Sequence, residues 1–156
     1  MSLETVLQVN ADGRGHATLC SIEPDGRRVR EVVPVQWLGD ELIEVAGSPG
    51  FVMGCAAGDV LRLDPDGQFT VDRRGPNECV QAYGQPPFTQ EDIDTLVVAF
   101  QGFGGLVEAP AHRKFVVVTV PTAVGRAAIV EQLVAWAAKV VRAEWQFSTG
   151  NAENGA

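Results

Sequence analysis

Histidine is nearly absent from this chain and cysteine is sparse, with two and three respectively among 156 residues. The cysteines, Cys20, Cys55 and Cys79, are odd in number and far apart. That fits neither a disulfide framework nor the paired spacing of a zinc site. Basic side chains are also few, 12 against 20 acidic, for a net charge of −8. Such a balance argues against affinity built on neutralising the phosphates of nucleic acid or an anionic lipid surface. No apolar run of signal-peptide length stands near the start, where Glu4 precedes any basic residue. The most apolar stretch, 127–141, is interrupted by Glu131, Gln132 and Lys139, and it is shorter than the ~20 residues that cross a bilayer. The expectation is a reduced, cytoplasmic protein with neither membrane nor nucleic acid as partner. Hydrophobic residues make up an ordinary 46%, enough for one domain or two small ones.

Two rhythms divide the chain. Up to Gly75, short strand-like runs alternate with turn chemistry, as in Val33-Pro34-Val35-Gln36-Trp37, Gly39-Asp40-Glu41 and Leu42-Ile43-Glu44-Val45. The turns Pro24-Asp25-Gly26 and Pro65-Asp66-Gly67 share their letters. Pro presets the first torsion, Asp bonds back to the backbone, and Gly accepts positive φ. Such runs predict a small antiparallel β-sheet or barrel over 1–75.

After Gly75, a strand at Cys79–Tyr83 leads to Thr89, whose hydroxyl suits the cap of a helix with an acidic first turn. Ile93, Leu96, Val97 and Phe100 form one stripe on that helix, and glycines 102, 104 and 105 end it. Strands follow at Leu106–Glu108 and Lys114–Val120. A second helix buries Ile129, Leu133, Trp136, Ala137 and Val140, and Arg142–Phe147 alternates as a closing strand. The order β-α-β-β-α-β predicts a ferredoxin-like sandwich over 76–148, making the class α+β. The polar, glycine-containing end from Ser148, domain residues 149–156, reads as a disordered tail.

The stretch Trp37–Leu63, continued by the βαββαβ half, resembles a bacterial family known as domain of unknown function 4265. The residues that carry the resemblance are Gly39-Asp40, Leu42-Ile43, Ser48-Pro49-Gly50-Phe51, Gly54 and Gly58-Asp59-Val60-Leu61. It would extend from about residue 16 to 147 and implies a small β unit followed by a ferredoxin-like half. Where such proteins tend to carry a Ser-Gly-His-Ser-Thr-like segment between the halves, this chain reads Arg74-Gly75-Pro76-Asn77-Glu78-Cys79. The resemblance therefore implies an architecture and no activity.

Catalytic templates find little here. His16 and Cys20 lie four apart in an extended stretch, which separates them by about 13 Å. His112 belongs to a solvated loop beside Arg113 and Lys114. Cys79 stands near Arg73 and Arg74, and neighbouring positive charge activates a thiol. A strand cysteine is more often a small buried hydrophobe, so Cys79 is a weak catalytic candidate. Asp64 and Asp66 before Gly67 carry only part of a calcium loop. No metal, nucleotide or other cofactor site emerges.

Three functions follow. The first is a non-catalytic accessory or regulatory module, inhibitor- or immunity-like, binding another bacterial protein of basic character through an acidic surface. A homodimer paired through sheet edges is the other partner class. The second is small-ligand binding in a groove between the two domains. Phe51, Asp59, Arg62, Arg73, Arg74, Asn77 and Glu78 are the candidate ligand- or partner-binding residues, the arginines suiting a carboxylate. The third is an enzyme using Cys79 as nucleophile, or Asp59 and Glu78 as acid and base. The lack of a catalytic constellation points away from it.

Overall fold

Turn chemistry decides where the first strands reverse. The structure, a computed structural model, describes residues 6–140 and 142–149. Gly13, Gly26 and Gly67 take φ of 85°, 86° and 85°, conformations open to glycine at no steric cost. Beside them, Asp12 Oδ1 accepts the Arg14 N–H and Asp25 Oδ1 accepts the Arg27 N–H. In the third turn the accepting carboxylate is Asp64, which takes the N–H groups of Asp66 and Gln68. Asp66, expected in that role from its place before Gly67, does not fill it. The second turn has Glu23 where the third has Asp64, and the short aspartate arm suits a bond two residues ahead.

The class is α+β, with two antiparallel sheets and two α-helices among the described residues. The chain divides into two units, Met1–Gly75 and Pro76–Ala156. The first holds β1 (Leu7–Val9), β2 (Arg14–Ile22), β3 (Arg28–Gly39), β4 (Leu42–Val45), β5 (Val60–Leu63) and β6 (Phe69–Arg73). They form one six-stranded sheet in chain order, each strand antiparallel to the last. Leu19, Val33, Val35, Ile43, Val45, Leu61 and Leu63 project to one side and build its core with Val52 and Cys55. Burial of each large aliphatic chain contributes about 1.5–3 kcal/mol. The sheet stays open and does not close as a barrel. Short β1 covers only Gly15–Ala17 of β2. Further along β2, the Cys20 N–H donates to the Gly67 carbonyl in the β5–β6 turn at 2.8 Å.

The second unit runs β7 (Asn77–Gly84), α1 (Gln90–Gln101), β8 (Leu106–Glu108), β9 (Phe115–Pro121), a 3-10 turn (Thr122–Val124), α2 (Arg126–Ala137) and β10 (Ala143–Phe147). Its sheet has the order β10-β7-β9-β8, antiparallel throughout. Val80, Ala82, Val116, Val118 and Val120 share one face of the sheet and pack against Ile93, Leu96, Phe100, Ile129, Leu133 and Trp136 of the two helices. Thr89 caps α1 as expected and forms a reciprocal capping box with Asp92. Val97 departs from the expected stripe. It is 39% exposed, because Ile93, Leu96 and Phe100 already define the inward line.

Order in the second unit also extends past the expected start of the tail, to Ser148 and Thr149. Ser148 and Thr149, assigned by composition to a frayed tail, are buried. The Ser148 N–H donates to the Cys79 carbonyl, continuing the β10–β7 ladder. Residues 150–156 of the expected tail lie outside the described residues.

Candidate functional site

Asp59 stands immediately before β5, after Gly58, whose φ is 96°. Its side chain has no exposed surface, and a buried carboxylate must find donors. It finds three. The Ala56 N–H donates to Oδ2 at 2.9 Å, the Gly75 N–H to Oδ1 at 2.7 Å, and Arg74 Nη1 to Oδ2 at 2.7 Å. Arg74 Nη1 also reaches the Gly54 carbonyl at 3.0 Å. Gly75 is needed for this approach, since a Cβ there would lie 2.3 Å from the Gly58 carbonyl group. The result is a clasp that ties the bend before β5 to the chain leaving β6.

The same bend has a second anchor that sequence reasoning missed. Glu31, the fourth residue of β3, accepts three consecutive N–H groups, from Gly50, Phe51 and Val52, at 2.8, 2.8 and 3.0 Å. Ser48 Oγ accepts the Ala57 N–H at 3.0 Å. The Ser-Pro-Gly-Phe bend signals exposed backbone donors, but nothing local names a glutamate about twenty residues earlier as their acceptor.

Among the remaining candidates of the first unit, Arg62 donates to the Asp40 carbonyl at 3.1 Å and lies 3.9 Å from Asp72. It lines a shallow cleft of about 390 Å³ together with Glu41, Asp64 and Gln68. Two carboxylates beside one arginine make a poor carboxylate trap. Arg73 ends β6 exposed to solvent. Phe51 is 42% exposed.

In the second unit, Asn77 opens β7 opposite Pro121. Glu78, one residue on, is buried in a bidentate pair with Arg126, with both N···O distances 2.9 Å. Thr149 Oγ1 donates to Glu78 Oε1 at 2.9 Å and accepts the Cys79 N–H at 3.2 Å. Arg126 also donates to the Thr149 carbonyl and lies 4.2 Å over the Phe147 ring. Cys79 itself has no exposed surface. Arg74, expected to activate that thiol, is committed to Asp59. The two carboxylates considered as acid and base are therefore each held by partners within their own unit.

His16 is exposed and Cys20 buried on the same extended strand. His112 Nδ1 accepts the Lys114 N–H in an exposed loop. Among the described residues no three His, Cys, Asp or Glu side chains gather to hold a metal, and no helix is long and apolar enough to cross a membrane.

The clasp gives a physical reason for Gly58-Asp59, part of the pattern noted in the sequence. A family profile described as domain of unknown function (DUF4265) matches residues 31–143. The chain belongs to the DUF4265 family. No curated protein matches it. A crystal structure of a hypothetical protein from Neisseria gonorrhoeae is similar in fold, with a TM-score of 0.64 at 12% identity. The likeness covers 89% of this chain and 96% of that one.

Proposed function

We propose that this DUF4265 protein is a non-catalytic accessory or regulatory module of the bacterial cytoplasm that binds another protein, in the manner of an inhibitor or immunity partner. The observation that carries this reading is the solvent-facing apolar content of β3. Val32, Trp37 and Leu38 are 62%, 45% and 48% exposed on a chain of net charge −8. Aromatic and aliphatic groups at the surface of a highly charged protein suit the centre of a protein interface. The excess negative charge would speed encounter with a basic partner.

The fate of the candidate groups adds support. Asp59, Glu78 and Arg74 are engaged in holding the two units in shape. The second unit serves as a ferredoxin-like module in this reading, its sheet order and paired helices on one face supporting that assignment.

Native mass spectrometry on the chain captured gently from its own cells tests the role. A reproducible added protein mass is expected, lost when Trp37→Asp and Leu38→Asp are combined. A bare chain, or a small added mass released on denaturation, would overturn it.

A further inference from the structure

We propose that a notch at the edge of the first unit's sheet accepts an extended, acidic segment of a partner protein, which adds a strand between β2 and β6. This occupant deepens the protein-binding role above and rests on that reading: the partner is basic overall, to suit the net charge of −8, and this one acidic segment meets a local cluster of arginines.

Backbone phase defines the notch. The Glu23 N–H donates to the Arg27 carbonyl, which sets the bonded positions of the β2–β3 hairpin. Ile22, one residue away and opposite Arg28, therefore turns its N–H and C=O away from β3. Among the described residues no strand pairs with β2 on that side beyond Ala17, where the register of β1 ends. The bond from the Asp64 N–H to the Gln68 carbonyl sets the β5–β6 hairpin in the same way. Phe69 and Val71, opposite Leu63 and Leu61, then turn their backbone groups away from β5. β6 is the last strand of the sheet. Ile22 on one wall and Phe69 and Val71 on the other line a single cleft of about 360 Å³, with Met53 and Gly54 between them. The contact of Cys20 with Gly67 closes one end.

Strand direction also favours an added strand over closure of the sheet on itself. Successive strands alternate in direction, so β2 and β6 run the same way. A segment running opposite to both would pair antiparallel with each, extending the alternation already present.

Charge selects the segment. Arg28 and Arg30 stand opposite Ile22 and Cys20 on the outer face, and Arg27 is in the adjoining turn. All three are exposed, and among the described residues no ion pair holds them. Ile22 beside them is 50% exposed. A segment that alternates acidic and apolar residues would direct its carboxylates toward the arginines and its apolar side chains toward Phe69 and Val71.

The probe is a short, end-blocked, fluorescent peptide of alternating glutamate and valine, titrated against the full chain. Saturable anisotropy is expected, weakening about tenfold when lysine replaces glutamate. Ile22→Pro or Val71→Pro should each weaken binding about tenfold, the scale of one lost hydrogen bond. Edge strands tolerate proline where the N–H faces outward, so circular dichroism should stay unchanged. Bound peptide should also slow amide exchange at Ile22, Phe69 and Val71 in the unmutated chain.

Absence of saturable binding at millimolar peptide, equal binding of the lysine peptide, or unslowed exchange at those amides would each overturn the notch. If the peptide fails while native mass spectrometry still finds a protein partner insensitive to both proline variants, the notch falls and the protein-binding role stands.

Discussion

Asp59 and Glu78 are both carboxylates withdrawn from water, one in each unit, and they solve the problem with different donors. Asp59 takes two backbone N–H groups and one nitrogen of a half-exposed arginine. Glu78 takes both arms of a mostly buried arginine and one hydroxyl. A carboxylate held by backbone donors fixes the path of the chain whatever side chains surround it. One held by side chains makes distant segments depend on each other, here residues 78, 126 and 149. The first arrangement should be sensitive to loss of the acid alone, the second to loss of either partner.

The largest expected effect is that of Asp59→Ala. It strands one buried and one partly buried N–H group and should cost about 3–5 kcal/mol in urea unfolding of the first unit. Glu78→Ala and Arg126→Met should follow, each costing about 2–4 kcal/mol in the second unit, because each leaves a largely buried charge alone. Near-equality of those two values is the sharper test, read from separate tryptophan-fluorescence and circular dichroism transitions. Thr149→Val removes one hydroxyl that serves two neighbours and should cost about 1–2 kcal/mol by the same measurement. Arg74→Met should be mildest, about 1 kcal/mol, since its guanidinium is 46% exposed and solvent screens the pair. If Arg74→Met proved as damaging as Asp59→Ala, the clasp would be an ion pair first and a backbone anchor second, and the contrast with Glu78 would collapse.

Local chemistry was legible in the sequence. The Thr89 cap, the β4 strand Leu42–Val45, the β8 strand Leu106–Glu108 and the turn through Gly39, Asp40 and Glu41 are decided within a few residues. The turn shows this well, with φ of 93°, 52° and 65° at three successive positions. Asp59 and Glu78 were also visible as candidates, but their partners were not. Arg126 lies 48 residues from Glu78, and Thr149 lies 71 away. Residue type cannot announce a meeting that depends on which strand lands beside which. Ser148 and Thr149 show the same limit. Their composition suits a loose end, and only the pairing of β10 with β7 brings them under cover. The sequence left sheet and barrel as alternatives for the first unit for a related reason, since the length of β1 relative to β2 is a boundary detail that alternation alone does not supply.

Glu31 takes its hydrogen bonds from the backbone N–H groups of Gly50, Phe51 and Val52. The outline of that loop is thus written in β3, while its chemical character is written in the loop. Mutational drift at Phe51 could alter what the loop displays without redrawing it, so related chains could diversify this surface while inheriting the same scaffold. A change at Glu31 would have the opposite effect, releasing three neighbouring residues from their shape while leaving their identities intact.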